Sequence, residues 1–374
     1  MKQRLAQLLS VLFLVSVFSG MPAGASADRS VLLTFTGDCT LGSEEAKRVN
    51  DNSFDSVVGR EGLSYPFEKV RFLFEADDLT VVNLEGVLSD SASGENTAKT
   101  YRFRGPAEFV KILSGASVEA AGLANNHTGD YGTRGLEDTQ RILSEGGIAW
   151  FRARTPYLLE KDGIRVAFYA VNSFQEPTFQ NDLNWLRNEI RRVKQDGEAD
   201  AVIVLFHSGS EYDACHTVTQ EKIGKSFIDN GADLIIMHHP HVVQGAAVYE
   251  NRTMLYSLGN FVFGGNSEIR TKPYHTWEVS SLYSLIARVR LDFSDDGVFL
   301  GQAVDLIPAY TSSDAPHNNF QPVPVCGEDA EPVYRAVQYD TAFPLPELTE
   351  EDGYSVIRLP YLDAESPVPS RDAN

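Results

Sequence analysis

Short, almost continuous runs of apolar residues recur between residues 31 and 237, each bounded by Gly, Asp or Asn. Such runs are typical of strands that are buried on both faces of a parallel sheet. Amphipathic helical patterns, some of them opened by a proline, lie between these runs. The predicted strands cover residues 31–36, 79–82, 118–124, 201–206 and 233–237, and the predicted helices begin at Pro66 and Pro106 or cover residues 135–143, 183–193 and 221–228.

Extended segments without intervening helices are added further along the chain. Residues 164–171, 254–256, 281–293 and 298–307 predict strands, and a hairpin turn at 294–297 joins the last two. Alternating strands and helices followed by added strands favour a two-sheet α/β sandwich over a single Rossmann sheet. The polar segment 89–100 predicts an exposed loop, and the acidic, proline-bearing residues from Phe343 predict a loosely packed tail.

The N-terminus has the pattern of a secretory signal peptide. Lys2 and Arg4 precede an apolar run over residues 8–18, and Ala25-Ser26-Ala27 offers a small-residue cleavage site. The run is shorter than the roughly 20 apolar residues of a membrane span, although an uncleaved anchor is the alternative. We expect a signal peptide over 1–27, one domain over 28–342 and an acidic tail over 343–374. The predicted location is secreted or at the cell envelope, with no transmembrane segment after cleavage.

The charge of the chain excludes one class of partner. Its 374 residues include 52 acidic and 32 basic side chains, for a formal net charge of −20. Nucleic acids and anionic lipid surfaces bind proteins through Lys and Arg, so the sequence predicts no nucleic-acid partner. The three cysteines are Cys39, Cys215 and Cys326. An exported chain permits a Cys215–Cys326 bridge, which the sequence alone does not establish.

Side chains that can bind metal follow each of the buried strands predicted by the apolar runs. The carboxyl ends of parallel strands converge on one crevice, so these side chains are expected to meet there. Oxygen and imidazole ligands together suit zinc, manganese or iron. We therefore predict one or two divalent ions, which would activate water for hydrolysis. The residues are Asp38, Glu85, Asn125, Asn126, His127, His207, His238, His239 and His241.

Taken singly, several of these residues also suit purely structural roles. Asp38 after a glycine is a plausible turn cap, Asn125 and Asn126 are favoured turn residues, and His207 suits a hydrogen-bonded core position. The cluster at 238–241 is harder to explain without a metal or acidic partners, because three imidazoles so close together are costly to satisfy. The other histidines, His216, His275 and His317, have no such neighbours and are predicted to be ordinary.

These motifs resemble the CapA family of poly-γ-glutamate capsule biosynthesis proteins, within the calcineurin-like metallophosphoesterase superfamily. The resemblance spans roughly residues 31–265 and implies an α/β fold, a four-layered α/β/β/α sandwich of calcineurin-like metallophosphoesterase type. The matching segments are TGDCTLG (36–42), NLEG (83–86), ANNH (124–127), DYG (130–132), HSGSEY (207–212), GAD (231–233) to HHPHV (238–242), and SLGNFVF (257–263).

The resemblance also implies roles for individual residues. Asp38 and His241 would serve one metal position, and Glu85 would be the bridging carboxylate. His127 would be catalytic, assisting the leaving group without binding metal. The second metal position would be served by Asn126, His207 and His239. The chain departs from the superfamily at Thr40, where a histidine is usual, and at Glu85, where an aspartate is usual. It departs from the family at Ser208, where family members often carry a tryptophan.

Substrate contacts are expected from a wider set of polar residues, namely Asn83, Asn125, Arg102, Arg104, Glu211 and His238. For Lys99, Arg102 and Arg104 a solvated surface is the plainer alternative. The expected partners are an anionic polymer or a phosphoester substrate and membrane-bound capsule synthesis machinery. The favoured function is an exported metal-binding protein of capsule, poly-γ-glutamate or related surface-polymer biosynthesis. The alternatives are a secreted metal-dependent phosphoesterase and a polymer-binding module with a degenerate metal site.

Overall fold

A computed structural model of the chain describes residues 29–174, 178–270 and 279–364. Short 3₁₀ turns lie at Glu45–Lys47, Tyr65–Phe67, Ala107–Phe109 and Gly327–Asp329. The α-helices are α1 (Phe54–Glu61), α2 (Arg71–Phe74), α3 (Val110–Ser114), α4 (Gly132–Glu145), α5 (Phe179–Gln195), α6 (Val218–Ile228) and α7 (Glu331–Tyr339). The strands are β1 (Arg29–Thr40), β2 (Leu79–Leu84), β3 (Val87–Leu88), β4 (Arg104–Gly105), β5 (Ala120–Gly122), β6 (Ala149–Phe151), β7 (Tyr157–Lys161), β8 (Ile164–Asn172), β9 (Ala201–His207), β10 (Leu234–His238), β11 (Ala246–Tyr249), β12 (Arg252–Leu255), β13 (Asn260–Phe263), β14 (Tyr283–Phe293), β15 (Phe299–Tyr310), β16 (Val323–Pro324), β17 (Thr349–Glu351), β18 (Tyr354–Arg358) and β19 (Leu362–Asp363).

Most of these strands form two mixed sheets. The first has the order β17-β18-β15-β14-β1-β2-β5-β6, with β13 also paired to β1 and with β16 and β19 paired to β15. Its strands β1, β2, β5 and β6 are parallel, whereas β14 and β15 run antiparallel to their neighbours. The second sheet has the order β11-β12-β10-β9-β8-β7, with β8, β9, β10 and β12 parallel. Strands β3 and β4 form a separate pair.

The apolar core shows how the layers stack. One cluster lies between the sheets and joins Leu33 and Phe35 of the first sheet to Ile203 and Ile236 of the second. A second cluster packs α1 to α4 against the outer face of the first sheet, and a third packs α5 and α6 against the outer face of the second. Both faces of the central strands are therefore buried, which is why their sequences are almost continuously apolar. The result is the predicted four-layered α/β/β/α sandwich.

Helix boundaries follow local capping. Helix α6 begins earlier than the apolar pattern indicates because Thr217 and Gln220 form a reciprocal capping box at its N-terminus. The helix predicted from Pro66 is instead a 3₁₀ turn followed by the short α2, and the helix predicted from Pro106 is a 3₁₀ turn followed by α3. Gly231, with a φ of +108°, turns the chain after α6 into β10.

The C-terminal segment is packed more firmly than its composition predicts. Residues 349–363 contribute β17, β18 and β19 to the first sheet, and Tyr354, Val356 and Ile357 are buried. The expectation of a loose tail from Phe343 is therefore wrong as far as residue 364, because β18 and β19 pair with β15 and β18 is largely buried. Residues 365–374 lie outside the described part of the chain.

Two further expectations concern export. Cys215 and Cys326 are both free thiols, so the bridge that the sequence permits is not formed. The predicted signal peptide over 1–27 lies outside the described residues. Within the part of the chain that the structure describes, no helix has the length and apolar character needed to cross a bilayer.

Asp233 is expected to be a major contributor to stability, because it lies directly before β10 and its buried carboxylate binds groups of α5, β9 and β12. It accepts hydrogen bonds from Lys194 Nζ at 3.0 Å, Val202 N at 2.9 Å and Arg252 Nε at 3.1 Å. Asp233→Ala would leave both cations and a strand N–H without this acceptor. Removing one partner of a buried pair costs about 3 kcal/mol, which urea denaturation would measure. A loss below about 1 kcal/mol, as for surface pairs, would contradict this account.

Candidate metal centre

The predicted crevice forms where the carboxyl ends of strands from both sheets meet. Asp38 of β1 lies beside Asn83 of β2, and His238 of β10 lies beside His207 of β9. The two sheets come into contact here, since Asp38 Oδ1 is 2.9 Å from His238 Nδ1. Parallel strand direction therefore brings distant parts of the sequence into one buried polar site.

Asp38 lies at the centre of this site and is completely buried. Its Oδ1 accepts a hydrogen bond from Asn83 Nδ2 at 2.9 Å, and its Oδ2 accepts one from the His239 backbone N–H at 3.2 Å. His241 Nδ1 is 3.3 Å from the same Oδ2. Burial opposes ionisation, yet the neighbouring His238 and His241 hold the pKa of Asp38 well below its ordinary value. Asp38 is therefore a carboxylate.

Asp38, Glu85 and His207 form one group of candidate metal ligands, whose ligand atoms all lie within 4.8 Å of one another. Glu85 Oε1 is 3.4 Å from His207 Nε2, whereas Glu85 Oε2 is buried with no hydrogen-bond partner among the described residues. Burial and the charge of Asp38 raise the pKa of Glu85 well above its ordinary value. The neutral form of Glu85 is therefore favoured, and a cation bound beside it would instead favour the carboxylate.

Glu211, His239 and His241 form a second such group, again within 4.8 Å. His239 and His241 both have a positive φ, +103° and +58°, which is strained for residues other than glycine. His239 Nδ1 is buried without a partner in the described structure. Burial, followed by the charge of His241, lowers the pKa of His239 to about 3, so this imidazole is neutral, the form that binds metal.

The loop that carries Glu211 is fixed to the histidine turn after β10. Tyr212 N donates to Pro240 O at 2.8 Å, and Pro240 separates the two strained histidines. Glu211 itself is exposed, so its carboxylate faces the open side of the site. The sequence predicts Glu211 as a substrate contact, which stays a prediction, and in the structure its carboxylate belongs to the second group of candidate metal ligands.

His127 lies beside these groups and is paired with Asp130. His127 Nδ1 is 2.8 Å from Asp130 Oδ2, which also accepts the Phe103 backbone N–H at 2.8 Å. Lys99 is ion-paired with Asp130 Oδ1 and donates to Asn126 O at 2.8 Å. Burial lowers the pKa of His127, although Asp130 opposes this. With Nδ1 engaged, Nε2 is the ring nitrogen left for proton exchange.

Asn125 and Asn126 follow β5 and take different positions. Asn126 Oδ1 is 2.8 Å from His207 Nε2, which places it at the edge of the first ligand group. Asn125 is buried and donates to Asn83 Oδ1 at 3.2 Å and to Leu84 O at 2.8 Å. Asn83 therefore hydrogen-bonds to the Asp38 carboxylate, and Asn125 in turn hydrogen-bonds to Asn83. The predicted contact of both residues with substrate stays a prediction.

The predicted basic substrate contacts are engaged elsewhere. Arg104 Nη2 forms an ion pair of 2.6 Å with Glu45, and Arg104 Nη1 donates to Ser89 O at 2.6 Å. Arg102 Nε forms an ion pair of 2.9 Å with Glu95. Both guanidinium groups are therefore already paired with carboxylates of the protein. Lys99, which sequence reasoning placed with them, instead contacts the His127 partner Asp130.

A family comparison identifies the domain that carries this site. Residues 32–265 match the sequence model of the family described as Bacterial capsule synthesis protein PGA_cap. The chain belongs to the PGA_cap family. The matched residues include all those of the two ligand groups and His127, whereas β14 to β19 and α7 lie beyond the match.

Two relatives with similar sequences are consistent with this membership. The chain is similar to the capsule biosynthesis protein CapA of Bacillus anthracis, 28% identical over 342 residues, covering 86% of this chain and 76% of the relative. It is also similar to the PGA biosynthesis protein CapA of Bacillus subtilis, 27% identical over 267 residues, covering 67% and 70%. A purple acid phosphatase from yellow lupin seeds is 13% identical, with a TM-score of 0.37, covering 86% of this chain and 57% of the phosphatase.

A residue outside the PGA_cap match reaches loops of the site. Asp340, directly after α7, accepts hydrogen bonds from the backbone N–H groups of His216 and Gly245, both at 3.0 Å. These residues follow the loops that carry Glu211 and His241. Asp340 also pairs with His216 Nδ1 at 2.8 Å. His216 therefore has a structural partner, as its predicted ordinary role requires, and sequence reasoning had no signal for Asp340.

Proposed function

We propose that this PGA_cap protein is an exported, divalent-metal protein that acts in the biosynthesis of capsule poly-γ-glutamate or a related anionic surface polymer. One observation carries the proposal, namely that two groups of candidate metal ligands meet at the strand ends of a capsule-synthesis family domain. The names of the relatives from Bacillus anthracis and Bacillus subtilis support the connection to capsule and poly-γ-glutamate.

Two buried polar atoms without a hydrogen-bond partner support the proposal that these residues bind a metal. Glu85 Oε2 and His239 Nδ1 are both buried and lack a partner within the described residues. A buried polar atom left unsatisfied costs about 1–3 kcal/mol, and a cation beside these atoms would remove that cost. Asp38, Glu85 and His207 would hold one ion, with Asn126 at its edge, and Glu211, His239 and His241 would hold a second.

The ligand chemistry narrows the choice of ion. Carboxylate oxygens mixed with imidazole nitrogens suit manganese, zinc or iron better than calcium. Such an ion, when bound, polarises a substrate oxygen and lowers the pKa of a coordinated water. One ion in either group would give a mononuclear site, and occupation of both groups would give a dinuclear one.

Hydrolysis of a phosphoester or a similar bond is a second candidate function, favoured by the His127–Asp130 pair. Asp130 Oδ2 lies 2.8 Å from His127 Nδ1, and a hydrogen bond donated by Nδ1–H to this carboxylate would fix the tautomer and the orientation of the ring. The same carboxylate stabilises the protonated imidazole, which can donate its Nε2 proton to a leaving oxygen. Phe103 packs on this ring at 4.6 Å between centroids and limits its movement.

The proposal also covers export and partners. We propose that residues 1–27 act as a cleaved signal peptide and that the mature protein works at the envelope beside membrane-bound capsule synthesis machinery. The proposed substrate is an anionic polymer or a phosphoester. A net charge of −20 would repel either of these, so bound metal must offset it locally.

The test uses the chain from residue 28 onward, loaded with manganese, zinc or iron. Two substrates are offered, an aryl phosphate and a defined oligo-γ-glutamate, each with and without prior removal of metal by a chelator. Metal-dependent cleavage of either substrate supports the hydrolase. Metal-dependent binding of the oligomer without cleavage supports a polymer-binding role in the same pathway. No binding and no cleavage by the metal-loaded protein would contradict the proposed function.

A further inference from the structure

Phe174 places an exposed aromatic ring directly against the histidines of the candidate metal centre. It lies in the loop after β8, and 44% of its surface is exposed. Its ring centroid is 4.1 Å from that of His239 and 6.1 Å from that of His207. A single exposed apolar residue is ordinary on a protein surface. The Phe174 ring, in contrast, lies against one histidine from each ligand group, and packing in the hydrophobic core does not explain this position.

The position of this ring is fixed by hydrogen bonds to the neighbouring strand. Ser173 donates to His207 O from its backbone N at 3.1 Å and from its hydroxyl at 3.3 Å. The Phe174 backbone N–H donates to Asn172 Oδ1 at 2.9 Å, and Asn172 lies beside His207 in the sheet register. The hydroxyls of Ser173 and Ser208 are 3.0 Å apart. Phe174 is therefore held in place at the end of β9.

The surroundings of Phe174 combine apolar and polar character. His239 Nδ1 has no hydrogen-bond partner among the described residues, and Glu211 contributes an exposed carboxylate to the same ligand group. Asn126, which contacts His207, is partly exposed. A metal-bound anion at this place would have an aromatic face next to it. Sites of this kind recognise an anionic group through the polar part and the attached organic part through the ring.

We propose that Phe174 is a specificity-determining residue that contacts the organic part of the substrate next to its metal-bound anionic group. The role rests on the proposed metal site. Phe174 would favour esters or amides with a planar or apolar group beside the anion and would contribute nothing to binding of a bare inorganic anion. The alternative is a purely structural cover over His239, which would affect all anions alike.

Binding of three non-hydrolysed probes to the metal-loaded chain tests this role by calorimetry. The probes are inorganic phosphate, methylphosphonate and phenylphosphonate, which share an anionic group and differ in what is attached to it. We expect the wild type to bind phenylphosphonate about 5–10-fold more tightly than methylphosphonate, the range of an aromatic pair contact. Phe174→Ala should remove this preference and leave phosphate and methylphosphonate within about twofold of wild type, by the same estimate.

Phe72 offers a matched control, because it is 48% exposed and lies on α2 near Tyr354, away from the metal centre. Phe72→Ala should keep the wild-type preference. Phe174→Leu keeps apolar bulk without the ring and should retain only part of the preference for phenylphosphonate. This variant replaces Phe174→Ala if Phe174→Ala has a lowered thermal midpoint.

The outcomes distinguish failure of the proposed metal site from failure of the proposed role of Phe174. If no probe binds the metal-loaded wild type, the proposed anion-binding metal site fails, and the role of Phe174 fails with it. If the probes bind but Phe174→Ala keeps the phenyl preference, only the role of Phe174 is overturned. Equal weakening of all the probes in Phe174→Ala would show a structural cover and would also overturn it.

Discussion

Asp38→Asn is expected to lower the affinity of the chain for its first equivalent of zinc or manganese by more than about 100-fold, since even outer-shell partners of metal sites contribute 10–100-fold. Asp38 is the carboxylate on which both sheets converge, and it contacts His238, His241 and Asn83. Asparagine keeps the volume and one acceptor but removes the negative charge. Competition against a chromophoric chelator would measure the change.

Asp233→Asn is the matched control, because Asp233 is also a buried aspartate and lies next to the opposite end of the strand that ends at His238. The control variant is expected to lose stability and to keep metal affinity within about threefold, since distant sites act nearly independently. Wild-type metal affinity in Asp38→Asn, or equal losses in both variants, would contradict the assignment of Asp38.

His127→Gln is expected to lower metal-dependent turnover of an aryl phosphate by about 100–10,000-fold, the usual contribution of a general acid or base. Glutamine can still hydrogen-bond to Asp130 but cannot exchange a proton at neutral pH. Because His127 belongs to neither ligand group, the metal content of the variant should equal that of the wild type. Steady-state kinetics and elemental analysis on the same preparation measure both quantities.

His216→Gln is the control for His127, because His216 is also paired with an aspartate, Asp340, at 2.8 Å. Its ring stacks on Tyr256 at 3.7 Å between centroids and takes no part in either ligand group. Turnover of this variant should stay within a few-fold of wild type. Loss of metal from His127→Gln would make His127 a ligand, and undiminished turnover would remove its catalytic role.

The fold and the composition of the site could be predicted because both depend on short-range patterns. Strands buried on both faces have continuous apolar sequences, and polar residues directly after parallel strands must share one edge of a sheet. Asp38, Glu85, His207 and His239 are therefore found together, as expected. The alternation of strands and helices predicts a two-sheet α/β sandwich, and the four layers are implied by the family resemblance.

Other features could not be predicted because they depend on long-range packing. The place of Glu211 in a ligand group follows from the bond between Tyr212 N and Pro240 O, which joins two separate loops. The positive φ of His239 and of His241 has no local sequence signal, since neither is glycine. The C-terminal strand β18 looks like a tail by composition and is recognisable only once β15 is in place to pair with it.

Metal stoichiometry tests the central claim most directly. Protein from residue 28 onward, purified without chelator, would be measured by elemental analysis beside an Asn126→Ala/His239→Ala double variant. The account predicts one or two equivalents of zinc, manganese or iron in the wild type and a clear loss in the double variant. Near-zero metal in the wild type, persisting after these metals are supplied, would contradict the metal centre and leave the fold as a polymer-binding scaffold.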